Sequence, residues 1–157
     1  MKINAKVNEI THKELVNLFS TAFFGSYNFS VAYDETKYRH LFKFGDCIED
    51  KLARIVLNKG SFIVYDTNSE KGDEPYGNLQ FYYNEDLDLI GYRVTINAIR
   101  KGINAILNST CKCSDDDERY ILMRHVIDFM DADNGCFDLT SADAIMQVIL
   151  FNEVIYG

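Results

Sequence analysis

The last third of the chain concentrates carboxylates. Asp115, Asp116, Asp117, Glu118, Asp128, Asp131, Asp133, Asp138 and Asp143 lie on or between two segments with helical periodicity. Residues 111–157 hold ten Asp and Glu against three Lys and Arg, whereas residues 1–110 hold 14 against 13, so nearly the whole net charge of −8 sits in this stretch. Acids at that density can form one negative face that attracts a basic channel and imitates phosphate spacing. The same side chains also serve solubility and stabilise helix starts.

Other reactive residue types are sparse. Of the histidines His12, His40 and His125, only His125 has a helical neighbour, Asp128, that could orient an imidazole for acid–base work; an ordinary surface pair is the simpler account. His12, in the second position of a capping box, reads as an exposed side chain. Cys111-Lys112-Cys113, with His125 one helix away, could offer thiolates to zinc, but the spacing does not match the common knuckles. Asp131-Ala132-Asp133-Asn134-Gly135 fails as a calcium loop, because its glycine comes one place early and no glutamate follows at the right distance. No G-x-S-x-G, H-E-x-x-H, C-x-x-C or phosphate-cradling glycine loop is present. The four cysteines are therefore expected to be reduced, with no cofactor or metal.

A second cluster, Tyr38, Arg39, His40 and Lys43, could meet an anion. With Tyr27, Tyr33, Phe42, Phe44, Tyr82, Tyr83 and Lys37 it could also stack bases. Strands equally turn aromatic residues inward to build a core.

The elements that must position these groups form one domain, 1–157, since 157 residues are too few for two ordinary cores. The 21 Phe and Tyr against one Pro exclude disorder, and the acidic balance argues against direct nucleic-acid binding. Met1–Ile10 lacks the apolar run of a signal peptide and no window approaches a membrane span, so a cytoplasmic location is expected.

Ile3, Ala5 and Val7 alternate as a first strand ending near Ile10. Thr11-His12-Lys13-Glu14 is a capping box, followed by Leu15, Leu18, Phe19, Ala22 and Phe23 at helical spacing and by Gly25, which a left-handed helix end would use. Tyr27, Phe29, Val31 and Tyr33 predict a strand with an aromatic inner face, closed by Asp34-Glu35-Thr36. A helix capped by Asp46 with Glu49 buries Ile48, Leu52, Ile55 and Val56 and stops at Asn58-Lys59-Gly60. Ser61 to Asp66, Asn78 to Tyr83 and Leu87 to Ile96 predict a three-stranded meander, with Thr67 to Gly77 as a solvated turn. A short helix follows Asn97 with Ile99, Ile103, Ile106 and Leu107, weakened by Gly102. Ser114 to Glu118 starts a helix burying Leu122, Val126, Phe129 and Met130, and Thr140 or Ser141 caps a last helix burying Ile145, Met146, Ile149 and Leu150. The expectation is an α+β domain: a largely antiparallel sheet of about four to five strands with about five helices packed on it.

The terminus Leu139-Thr140-Ser141-Ala142-Asp143-Ala144-Ile145-Met146-Gln147-Val148-Ile149-Leu150-Phe151-Asn152-Glu153-Val154-Ile155-Tyr156-Gly157 is not generic. It resembles the end of a family of small phage and prophage proteins of unassigned activity, which finish with an alanine-aspartate helix, a glutamine, then Leu-Phe-Gly-Glu, two aliphatic residues, an aromatic residue and glycine. Thr21 to Phe29 resembles that family's second signature, a helix end followed by glycines and an aromatic strand. Asn152 stands where the family has glycine, Phe24 stands near an expected acid, and the usual tryptophan is missing. The Ile, Asn, Lys and Tyr richness suits an AT-rich bacterial host.

The resemblance implies a phage or prophage setting and no chemistry of its own; by association, small acidic phage proteins without catalytic motifs often serve accessory functions such as blocking host defence, as anti-CRISPR proteins do. On that reading the chain is a non-enzymatic binder whose acidic face occupies the basic channel of a defence nuclease, an RNA-guided one among the candidates. The alternatives are a small enzyme acting on nucleotides or nucleotide signals, with Arg39, His40 and Lys43 as anion contacts, and an RNA-binding accessory protein using the aromatic residues.

Overall fold

The computed structural model describes residues 9–25, 27–131 and 137–156. The expected first strand over residues 3–7 lies outside them. The chain order is α1 (His12–Phe24), β1 (Phe29–Ala32), α2 (Glu35–Tyr38), a 3-10 turn (Arg39–Leu41), α3 (Ile48–Leu57), β2 (Ser61–Asp66), β3 (Phe81–Asn84), β4 (Leu89–Thr95), α4 (Ile96–Leu107), α5 (Asp116–Met130) and α6 (Leu139–Phe151). This is the α+β domain that the sequence predicts, with four antiparallel strands and six helices among the described residues. None of these helices is long and apolar enough to cross a membrane.

The sheet order is β1-β2-β4-β3, so β4 lies between β2 and β3 and the expected meander is corrected. Phe62 faces Val94, Val64 faces Tyr92 and Asp66 faces Ile90 across β2 and β4. These pairs put one row of large side chains on the helix-covered face, where burial outweighs the simpler order of consecutive hairpins. β3 is left at the edge, with Phe81 and Tyr82 exposed.

Helix α1 starts at the predicted capping box: the Thr11 hydroxyl accepts the Glu14 N–H, and the Glu14 carboxylate accepts the Thr11 N–H at 2.9 Å. Its end corrects the expectation for Gly25, whose φ is −104°. A Cβ there would stand 2.9 Å from the Thr21 carbonyl and 3.1 Å from Leu139, so the glycine permits a close approach. Helix α3 begins at Cys47, whose N–H is met by Asp50. Asp46, the expected cap, instead accepts the Lys43 N–H and grips Arg54 Nε at 2.7 Å, and that guanidinium holds its carboxyl below the usual range. His12 is half-buried and lies 2.9 Å from Asp50.

Helix α6 is the centre of the molecule. It packs on α1, α4 and α5, and ten of its thirteen residues are buried around its whole circumference. A helix with one apolar stripe would suit a surface position; Ala142, Ala144, Val148 and Phe151 extend the apolar surface to every side. Asp138 caps it by accepting the Ser141 N–H at 2.9 Å, which replaces the expected Thr140 or Ser141 cap.

Candidate functional site

Helix α5 carries two apolar stripes. Leu122, Val126 and Phe129 form the inner one and are buried in the core. Tyr120, Met123, Ile127 and Met130 form a second one at spacings of three, four and three residues, which places them along one line of the helix. Tyr120, Ile127 and Met130 are 64%, 53% and 51% exposed, so Met130 is not the core residue that periodicity suggested. Ile121 adds a further exposed aliphatic side chain on the solvent side.

Carboxylates flank this outer surface at both ends. Asp115 caps the helix by accepting the Glu118 N–H at 2.8 Å. Glu118 turns back to accept the Ser114 N–H at 2.7 Å together with the Ser114 hydroxyl. Both are therefore used by the helix start, where negative charge also meets the positive end of the helix dipole. Asp116 and Asp117 are exposed, and Asp116 reaches Arg119 only at 4.0 Å. At the other end stand half-buried Asp128 and exposed Asp131, the latter ending the helix with its N–H on the Ile127 carbonyl. A 15-residue helix is about 22 Å long, so the acids make two negative ends on either side of an apolar middle rather than one uniform face. Asp133 lies outside the described residues.

Asp138 and Asp143 do not join this surface. Asp138 is held below the usual carboxylate range by the Ser141 amide at the start of α6. Asp143 is half-buried and accepts Asn28 Nδ2 at 3.0 Å and Gln147 Nε2 at 2.6 Å. Gln147, fully buried, is the hub of a clasp on the C-terminal segment. Its oxygen accepts the Ile155 and Tyr156 N–H groups at 2.7 and 2.8 Å, and its nitrogen donates to the Tyr156 carbonyl at 3.0 Å. The Tyr156 hydroxyl donates to buried Asp66 at 2.7 Å, and burial raises the carboxyl of Asp66. Asn152 ends α6 with φ of +60°, the left-handed conformation that glycine adopts most readily and asparagine next. The sequence reading missed Gln147 and Asp66; a glutamine inside the most apolar stretch was the one signal for the former.

His125 is not oriented by Asp128. Its Nδ1 lies 2.7 Å from the hydroxyl of buried Ser141, and burial pushes its pKa below the ordinary histidine value. Ser141, His125 and Asp138 are the residue types of a hydrolase, but the serine hydroxyl is enclosed between α5 and α6, where no substrate carbonyl can approach it. The hydrogen bond between this hydroxyl and the imidazole makes the pair a strut between the two helices.

The second cluster is divided. Tyr38 is buried, with its ring over Gly60 and its hydroxyl accepting the Ser61 N–H at 3.1 Å. Arg39, His40 and Lys43 remain exposed on the 3-10 turn and the loop after it. Tyr33 packs edge-on against Phe42, with Lys51 5.1 Å above the Phe42 ring, while Tyr82 pairs with Tyr65 on the sheet and Tyr27 is exposed. Cys111 and Cys113 bring their sulfurs to 3.6 Å, and burial pushes the Cys111 thiol up to about 12. Among the described residues no group of three or more His, Cys, Asp or Glu side chains could hold a metal ion.

Comparison of the chain with protein-family models, with curated proteins and with solved structures finds no match.

Proposed function

We propose that this protein is a non-enzymatic binder that docks the outer face of α5 onto a basic protein surface. The observation that carries this reading is the stripe of Tyr120, Ile127 and Met130, solvent-facing around a partly buried Met123 and bordered by Asp116, Asp117, Asp128 and Asp131. Apolar and aromatic side chains supply most of the binding energy at protein interfaces, and a charged rim selects the partner and speeds encounter. Residues 115–131 carry six acids against two arginines, so two copies meeting through this face would repel. A cationic partner is favoured instead. The resemblance to phage and prophage proteins supports a bacterial defence nuclease, RNA-guided enzymes included, whose nucleic-acid channel is the basic surface occupied.

Charge reversal and apolar removal test this separately. Asp116→Lys with Asp117→Lys leaves the Asp115 cap in place, and Tyr120→Ser with Ile127→Ser leaves the inner stripe in place. Binding to a partner identified from a defence-positive host should weaken at least about tenfold in each double variant, roughly 1.4 kcal/mol or more. The charge variant should also lose most of the wild-type salt dependence. Unchanged affinity in both variants, with an unchanged fold, would remove α5 from the interface.

A further inference from the structure

A second site lies elsewhere, on α4, and does not depend on the docking face. A cleft of about 720 Å³ opens between α4 and the end of α6, within the size range of small-molecule sites. Its polar lining includes Asn78, Arg100, Lys101, Asn104, Asn108 and Asn152. Ala105, Ile149 and Leu150 supply apolar surface. The two helices approach closely at Gly102, where a Cβ would stand 2.6 Å from Ile149 Cγ1, so the glycine that weakens α4 in isolation is what lets it seat against α6.

Charge sets this cleft apart. In a chain of net charge −8 it holds two cations and no carboxylate among its lining residues. Arg100 Nε is enclosed and has no hydrogen-bond partner among the described residues. Nε itself has no surface open to a ligand atom, but the guanidinium to which it belongs lines the cleft and carries the charge that an oxyanion there would meet. Lys101, Asn104 and Asn108 follow one another at helical spacing, and the rise from Lys101 to Asn108 is about 10 Å. A cation at one end of such a row and carboxamides toward the other match a molecule with an anionic head and a hydrogen-bonding ring about 10 Å away. Carboxamides pair donor and acceptor as base edges require.

We propose that the cleft binds a nucleoside monophosphate, its phosphate held by Arg100 and Lys101 and its base placed along Asn104 and Asn108. Exposed Arg39, His40 and Lys43, the anion contacts that the sequence suggested, have no comparable enclosure.

Titration calorimetry of the full chain at low salt tests this with AMP, GMP, CMP, UMP, adenosine and inorganic phosphate. At least one monophosphate should bind with a Kd below about 1 mM, and adenosine and phosphate at least about tenfold more weakly. Lys101→Glu, at an exposed position, should weaken the monophosphate at least about tenfold while Lys101→Arg retains it, and Arg100→Met should weaken it similarly. Phosphate binding as tightly as the monophosphates would reduce the cleft to a simple anion site and overturn the proposal. So would the absence of monophosphate binding, or equal affinity in wild type and Lys101→Glu.

Discussion

The acids of α5 and those of α6 read alike in the sequence and serve opposite ends. Asp143 is turned inward, where Asn28 and Gln147 both donate to it, and Asp138 is committed to the first turn of its own helix. Asp116 and Asp117 stand in solvent beside an exposed apolar stripe. The C-terminal clasp is satisfied internally, so its residues answer to stability. The outer face of α5 leaves Tyr120, Ile127 and Met130 uncovered along one line of the helix, and the proposed docking rests on that surface. An acid's role is thus decided by whether its partners are already in the fold.

The largest effect should come from the clasp. Gln147→Leu removes the acceptor for the Ile155 and Tyr156 N–H groups and the donor to Asp143 and the Tyr156 carbonyl, and should cost about 2–4 kcal/mol in chemical denaturation. Amide exchange at Ile155 and Tyr156 should accelerate in step. A variant as stable as wild type would mean that the segment is held by apolar packing alone.

A matched pair of substitutions sharpens the contrast. Asp143→Lys strands the amides of Asn28 and Gln147 and should cost about 1–3 kcal/mol, whereas Asp117→Lys should shift stability by less than about 0.5 kcal/mol. Equal effects in thermal melts would erase the distinction between the two sets of acids.

The His125–Ser141 strut joins the two regions and gives a smaller, pH-dependent effect. Burial holds the folded-state pKa of His125 below its unfolded value of about 6.5, so the folded chain binds fewer protons than the unfolded one in that window. Stability from this group is therefore complete above pH about 6.5 and is lost as pH falls through the folded value. Asp138, held low by the Ser141 amide, adds a loss of the same sign only below pH about 4. Urea midpoints measured from pH 7.5 down to 5 should fall in wild type and stay nearly flat in His125→Gln. A parallel fall in both would assign the dependence to other groups.

Much of the architecture could be read from local chemistry. The Thr11–Glu14 capping box placed α1, the Asn58-Lys59-Gly60 stop before Ser61–Asp66 placed β2, and the acids from Ser114 to Glu118 marked the start of α5. What escaped depended on distant partners. β4 enters between β2 and β3 because its pairing with β2 completes the buried row, a condition that neither strand states alone. Gly25 resembles a helix terminator until Leu139 is brought against it, and Tyr38 resembles a surface aromatic until it closes over Gly60. The cleft on α4 is assembled from α4, the end of α6, the residues just before β3 and the turn after α4, so no single stretch announced it. On α5 the acids were legible and the outer stripe was not, because Met130 fits either side of a helix until burial assigns it.

Site-specific photo-crosslinking tests the docking surface most directly. A benzoylphenylalanine in place of Tyr120 or Ile127, activated in a defence-positive bacterial host, should trap one basic nucleic-acid-handling protein. The same probe at Lys59, on the turn after α3, should not. The purified partner should then bind wild type at least about tenfold tighter than the Tyr120→Ser, Ile127→Ser variant. Crosslinks that form equally from Lys59, or that join only copies of this chain, would contradict the assignment of α5 as the surface for a basic partner.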